Sequence, residues 1–205
     1  RDGSIELVSL DKITNRVSVL STGLSIDPII VAQKAIPGLF NEITTTEIDN
    51  YLAETAAALT VEHPDYSNLA ARIKANALHK ETPGFVIANK LLFEDGLLSQ
   101  EYYSKVKDNT KIIESIIDYD QDYNFDYFAL TTLMRAYLLK YQGKVIERPQ
   151  DLWMRVALTI ASDEFSYEKV KHTYSALSRG YYTRATPTLF NSGLKMQQLS
   201  SCFLI

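Results

Sequence analysis

The sequence predicts a mainly α-helical protein, from three observations. Apolar residues recur every three or four positions along most of the chain, the expected boundaries carry helix caps, and glycine and proline are scarce at 8 and 6 of 205 residues. The first element is an exception: Asp2-Gly3 beside the alternating Ile5-Glu6-Leu7 reads as a hairpin turn and the strand leaving it. Helices follow. Leu10, Ile13, Val17 and Leu20 share one helical face, and Asp27-Pro28 supplies an N-cap with proline at the first helical position. Thr44-Thr45-Thr46-Glu47 fits a capping box ahead of the stripe Ile48, Leu52, Thr55 and Leu59. A fourth helix opens at Pro64 and carries Leu69, Ile73 and Ala77.

Beyond Pro83-Gly84 the spacing predicts helices over 84–93, 100–117, 127–140, 149–162 and 166–180, with a polar turn at Gln142-Gly143. Residues 183–193 read as a loop ending in the turn Asn191-Ser192-Gly193, and Leu199 with Cys202-Phe203-Leu204-Ile205 reads as a buried strand. Half a hairpin without an initiator Met at one end, and an unpaired apolar strand at the other, lead to the expectation of a piece of a longer protein. Composition divides at the same break. Residues 1–82 hold 7 Lys+Arg against 11 Asp+Glu and the remainder 14 against 14, while 11 of 13 tyrosines follow residue 100, so two domains are expected.

At 46% hydrophobic and 22% charged residues the balance is that of an ordinary globular protein. No apolar stretch approaches the roughly 18 residues of a membrane helix, and a net charge of -4 provides no global basic field for nucleic acid. A soluble, cytoplasmic chain with neither a membrane nor a nucleic-acid partner is expected. The single cysteine, Cys202, excludes an internal disulfide framework and a thiolate zinc cluster. His63, His79 and His172 lack any ligand spacing and read as surface or packing residues, so no metal site is expected. Asp118-Tyr119-Asp120-Gln121-Asp122 lacks the glycine and terminal Glu of a calcium loop and reads as solvated.

Two candidate sites remain. Arg1, Lys12 and Lys80, with Thr44, Thr45 and the helix start that follows, would bind phosphate if the fold brought them together; the alternative is surface cations and an ordinary cap. Cys202 is either an inert core residue or, beside Ser200-Ser201, part of a polar pocket for an anionic substrate.

Longer motifs sharpen this choice. Arg1-Asp2-Gly3, Asp11-Lys12-Ile13, Thr44-Thr45-Thr46-Glu47-Ile48-Asp49, His63-Pro64-Asp65-Tyr66, Leu69-Ala70-Ala71-Arg72-Ile73 and Leu78-His79-Lys80 resemble, in order and spacing, the ATP-cone of class I ribonucleotide reductase large subunits of eukaryotic type. Glu147-Arg148-Pro149-Gln150, Met154-Arg155-Val156-Ala157-Leu158, Ala185-Thr186-Pro187-Thr188-Leu189-Phe190-Asn191 and Gln198-Leu199-Ser200-Ser201-Cys202-Phe203-Leu204 resemble the approach to the same enzyme's catalytic barrel.

The resemblance implies an ATP-cone over 1–82 (a four-helix bundle capped by a small β-sheet), a helical domain over 83–185, and the first strand of a ten-stranded α/β barrel within 186–205. It implies reduction of ribonucleoside diphosphates by a thiyl radical that a separate metal-containing small subunit initiates, with thioredoxin or glutaredoxin as reductant and a nucleotide-dependent homo-oligomer. Cys202 matches a redox-active cysteine whose disulfide partner would lie beyond Ile205, and Thr186 and Ser201 match substrate-binding positions. Arg1, Glu6, Leu7, Val8, Ser9, Leu10, Asp11, Lys12, Thr45, Asp49 and Lys80 match positions around an allosteric ATP/dATP site that takes its nucleotide with Mg²⁺. In this scheme Arg1, Lys12 and Lys80 meet the triphosphate, Thr45 donates or accepts a hydrogen bond, and Glu6 and Asp49 read base or sugar. Two other readings stay open at this point, a non-catalytic nucleotide-sensing cone and a degenerate homologue acting as a binding or scaffold protein.

Overall fold

A computed structural model describes residues 5–161 and 165–202, in two compact units. The first comprises residues up to Leu78 together with Tyr123–Thr131; the second comprises His79–Asp122 and the residues from Thr132 onward. The hairpin turn expected at Asp2-Gly3 lies outside the described residues.

The first unit is built from α1 (Leu10–Leu20), α2 (Pro28–Ala35), α3 (Thr45–Ala58) and most of α4 (Asp65–Glu81). The starts of α1, α2 and α3 are each set by a short polar side chain that satisfies a free amide. Ser9 accepts from the Lys12 amide, Asp27 accepts from Ile29 N at 2.9 Å with Pro28 behind it, and Thr44 and Glu47 close the expected capping box. α1 ends where Gly23 takes a positive φ of 79°, and Arg72 of α4 donates to the released carbonyls of Leu20 and Thr22 at 3.0 and 2.8 Å. Ile13, Val17, Val31, Leu52, Leu69 and Ile73 fill the core, each contributing roughly 1.5–3 kcal/mol by leaving water. Gly38 permits a close approach, since a Cβ there would stand 2.2 Å from the Tyr51 hydroxyl.

The small β-sheet expected here is a correction: no strand occurs among the described residues of this unit. Ile5 and Leu7 are 97% and 95% exposed in irregular backbone. Alternation alone cannot hold a strand, because each residue's amide and carbonyl need a neighbouring chain to pair with.

In the second unit α5 (Phe85–Glu94) is followed by α6 (Gln100–Asp108) and α7 (Thr110–Ile116), two helices where one was expected over 100–117. Asn109 leaves helical geometry at φ −121°, ψ 19° and bonds back to the Lys105 carbonyl at 2.9 Å, which offers the chain an alternative to the helical ladder. The helix expected over 127–140 also breaks. α8 (Tyr127–Thr132), which up to Thr131 belongs to the first unit, passes into a π-helical turn over Leu133–Tyr137, and an antiparallel hairpin follows, β1 (Lys140–Tyr141) paired with β2 (Lys144–Val145). Its turn residues Gln142 and Gly143 have φ of 50° and 79°, the pair of positive angles a two-residue hairpin requires. α9 (Pro149–Ile160) packs on α10 (Tyr167–Ser178), and the expected 183–193 loop contains a further helix, α11 (Thr186–Asn191).

Candidate functional site

On the first unit, the residues matched to a nucleotide site gather at the starts of α1 and α3. Glu6, Leu7, Val8, Leu10, Asp11 and Lys12 are exposed and Ser9 is partly buried at the α1 cap. Lys12 Nζ meets Glu6 Oε2 at 2.9 Å with both side chains about 70% exposed, so this surface pair has little hold on either partner. Thr45 is exposed in the first turn of α3, where the dipole is positive and Thr44 with Glu47 already satisfies the cap. Two bonds from Thr44 to the Glu47 carboxylate hold its pKa below the usual range.

Asp49 behaves differently. It lies one helical turn further on, is fully buried, and its carboxylate accepts from Arg16, whose other terminal nitrogen donates to Asn76 at 2.8 Å. Lys80 is exposed in the last turn of α4 and belongs to the second unit, and Arg1 lies outside the described residues.

On the second unit, Thr186 opens α11 and is exposed, as are Ser201 and Cys202. Residues 197–202 are irregular, and Phe203-Leu204-Ile205 of the expected strand lie outside the described residues. The thiol's near neighbour is the Ser201 hydroxyl at 3.9 Å. Thr188 Oγ1 donates to the Leu199 carbonyl at 3.0 Å and Asn191 Nδ2 donates to that of Gln198 at 2.8 Å, so α11 carries the segment that ends in Ser201 and Cys202.

Beneath α11 lies a polar network that sequence reasoning missed. Arg155, fully buried on α9, bonds both oxygens of Glu147 at 2.6 and 3.0 Å and donates to the carbonyls of Leu189 and Ser192 at 3.3 and 2.8 Å. A buried guanidinium with two charge-assisted bonds and two carbonyls has most of its five donors satisfied. At the start of α9, Asp151 accepts from the Arg148 amide at 2.8 Å and from the Tyr119 hydroxyl at 2.7 Å. Burial raises its pKa to about 7, these two hydrogen bonds pulling the other way. The Arg148 guanidinium sits 4.6 Å from the Tyr119 ring centroid, close enough for a cation–π contact.

The solvated reading of Asp118–Asp122 holds for Asp118 and Asp120, which are exposed, and is corrected for Asp122. Asp122 is fully buried within a 3₁₀ turn and contacts His79 Nε2 at 2.7 Å and the Gln150 amide at 3.2 Å. His79 is thus a partnered histidine rather than a surface one. The available signal was Arg155 itself: a charge inside a helix whose residues 149–158 are all buried must have a partner.

Comparison with known proteins bears on both regions. Residues 1–81 match the ATP cone domain family and residues 123–197 match the family described as ribonucleotide reductase, all-alpha domain. By these two matches the chain carries an ATP cone and a ribonucleotide reductase all-α domain. Over its whole length it is 44% identical to the ribonucleoside-diphosphate reductase large subunits of Arabidopsis thaliana and Dictyostelium discoideum, and to large chain 2 of Saccharomyces cerevisiae, of which it covers 26%, 25% and 25%. The chain thus spans about a quarter of the length of the curated relatives it matches. The reductase family accounts for a mainly helical protein carrying a cone and an all-α domain. No helix among the described residues is long and apolar enough to cross a membrane.

Proposed function

We propose that this chain belongs to the large subunit of a cytoplasmic ribonucleoside-diphosphate reductase, with residues 1–82 as its regulatory cone, 83–185 as its helical domain and 186–205 leading into the catalytic barrel. The supporting observation is the placement of Cys202 and Ser201 on a segment bonded to the helix that Thr186 opens. An exposed thiol beside two hydroxyls can face a sugar, whereas a thiol in a dry core cannot.

In this reading Thr186 and Ser201 hydrogen-bond the ribonucleoside diphosphate, and Cys202 supplies one of two thiols at the 2′-carbon. The C2′–O bond breaks, the hydroxyl leaves as water, and the two electrons come from the thiol pair, which closes to a disulfide with a cysteine outside this chain. The separate metal-containing small subunit initiates a thiyl radical that acts on the substrate, and thioredoxin or glutaredoxin reopens the disulfide. The product serves DNA precursor synthesis.

The cone residues fit a nucleotide. Lys12 is held only by a weak surface pair and faces solvent with Thr45 on the same unit, suiting them to the phosphates of ATP or dATP with Mg²⁺. Asp49 acts through Arg16, which it anchors, and the cone match extends over Arg1 and Lys80. Nucleotide binding then selects among homo-oligomers by favouring one assembly over another.

Two measurements test this in the full-length large subunit. Cys202→Ser, assayed with small subunit and a dithiol reductant, is expected to abolish turnover; multiple turnovers at the wild-type rate would exclude the assignment. Calorimetric titration of ATP and dATP is expected to give saturable binding that Lys80→Ala removes. Absence of binding in wild type would leave a reductase without a working cone.

A further inference from the structure

α11 is fixed from three directions. Arg155 holds the carbonyls of Leu189 and Ser192 from below, the Phe190 ring stacks on Tyr137 of the π-helical turn at 4.7 Å, and the Gly193 carbonyl accepts from Ser99 N at 2.9 Å. Gly193 is required by that last contact, because a Cβ would stand 3.0 Å from the Tyr102 ring at a φ of 75°. A helix of 6 residues that would not persist alone is thereby made rigid by tertiary contacts.

Thr188 and Asn191 are three residues apart on one face of this helix and take consecutive carbonyls, Leu199 and Gln198, of the segment that carries the thiol. Thr188 is buried at 8% exposure and its own carbonyl accepts from Ser192 Oγ at 2.6 Å, so its position is set by the helix rather than by solvent. We propose that Thr188 and Asn191 are positioning residues, a two-bond clasp that keeps Ser201 and Cys202 in register with Thr186. The inference rests on the reductase reading above and deepens it. Neither side chain touches substrate in this scheme; their effect is transmitted through the 198–199 backbone.

The test uses the full-length large subunit with its small subunit, comparing Thr188→Val, Thr188→Ser and Asn191→Leu. Valine keeps the shape and loses the hydroxyl, and serine does the reverse. Thr188→Val and Asn191→Leu are each expected to speed amide exchange in peptides covering 197–202 and alkylation of Cys202 by iodoacetamide. Both should lower kcat about tenfold while KM moves less than about twofold, since a sub-ångström misplacement of a reacting group acts on the chemical step. Thr188→Ser should restore all three readouts. Exchange and alkylation at wild-type rates in Thr188→Val and Asn191→Leu would overturn the clasp, as would equal losses in the serine and valine variants. An inactive wild-type enzyme would instead overturn the reductase reading, with exchange and alkylation still deciding whether the clasp exists.

Discussion

The two units bury different things. Among the described residues the first unit hides an apolar core and, of polar side chains, Ser21 and Asp49; the second hides Thr82, Asn89, Asp122, Glu147, Gln150, Asp151, Arg155, Thr188 and Ser192. Apolar packing is non-directional and tolerates small rearrangements, whereas a buried charge network depends on directional bonds to particular partners. The contrast fits the division of labour proposed above, with nucleotide binding at the surface of the first unit and the Cys202 segment held by directional bonds in the second.

The sharpest way to break this comparison is to remove one member of each buried pair. Arg155→Met leaves the Glu147 carboxylate buried without its partner and should cost about 3–5 kcal/mol by denaturant unfolding. Arg16→Met removes one partner of Asp49, and the Arg16 side chain is 24% exposed, so water reaches the gap and about 1–3 kcal/mol is expected. Equal losses would erase the distinction between the units.

The next effect is a pH dependence. The Asp151 carboxyl has a folded pKa of about 7 against an ordinary value of 3.8, so between these values the folded state holds a proton the unfolded state has released. Its stabilising contribution is complete below about pH 4 and is lost as pH rises through 7, on the order of a few kcal/mol. Asp151→Asn should flatten unfolding free energy over that window. A wild-type slope that survives the substitution would place the titrating group elsewhere.

The same contrast explains what was legible in the sequence. α1 to α4 could be read because their determinants are local: Asp27 and Thr44 reach amides two or three residues on, and Thr44 with Glu47 forms the box its spacing predicts. The second unit depends on distant partners. Glu147 reaches Arg155 from the segment that leads into α9, Asp122 meets His79 across 43 positions, and α11 is helical because Arg155, Tyr137 and Ser99 hold it. The hairpin of β1 and β2 escaped notice because its strands are 2 residues each and Gln142-Gly143 is a weaker turn signal than Asn-Gly. Within the candidate site, Cys202, Ser201 and Thr186 were matched by motif, but the hydrogen bonds that Thr188 and Asn191 make to the 198–199 backbone are tertiary contacts that no local pattern records.

Smaller effects probe the first unit's surface. Thr44→Ala removes the cap acceptor for the Glu47 amide and should cost about 1 kcal/mol in chemical unfolding, with α3 otherwise intact. A loss much above 2 kcal/mol would mean that this helix start is built into the core rather than held ready at the surface.

Lys12→Ala is expected to change stability least of all. Its pair with Glu6 is exposed on both sides, and such pairs contribute between nothing and about 1 kcal/mol, so the unfolding midpoint should hold. Nucleotide affinity should not hold. A lysine that costs the fold little yet stands beside Glu6 and on the unit that presents Thr45 is free to exchange a carboxylate for a phosphate, and its removal should weaken ATP and dATP together. Loss of binding with an unchanged midpoint would separate sensing from stability in the first unit. A shifted midpoint with binding intact would mean that the Glu6–Lys12 contact supports the start of α1, and that the surface of this unit is structural in the way the interior of the second one is.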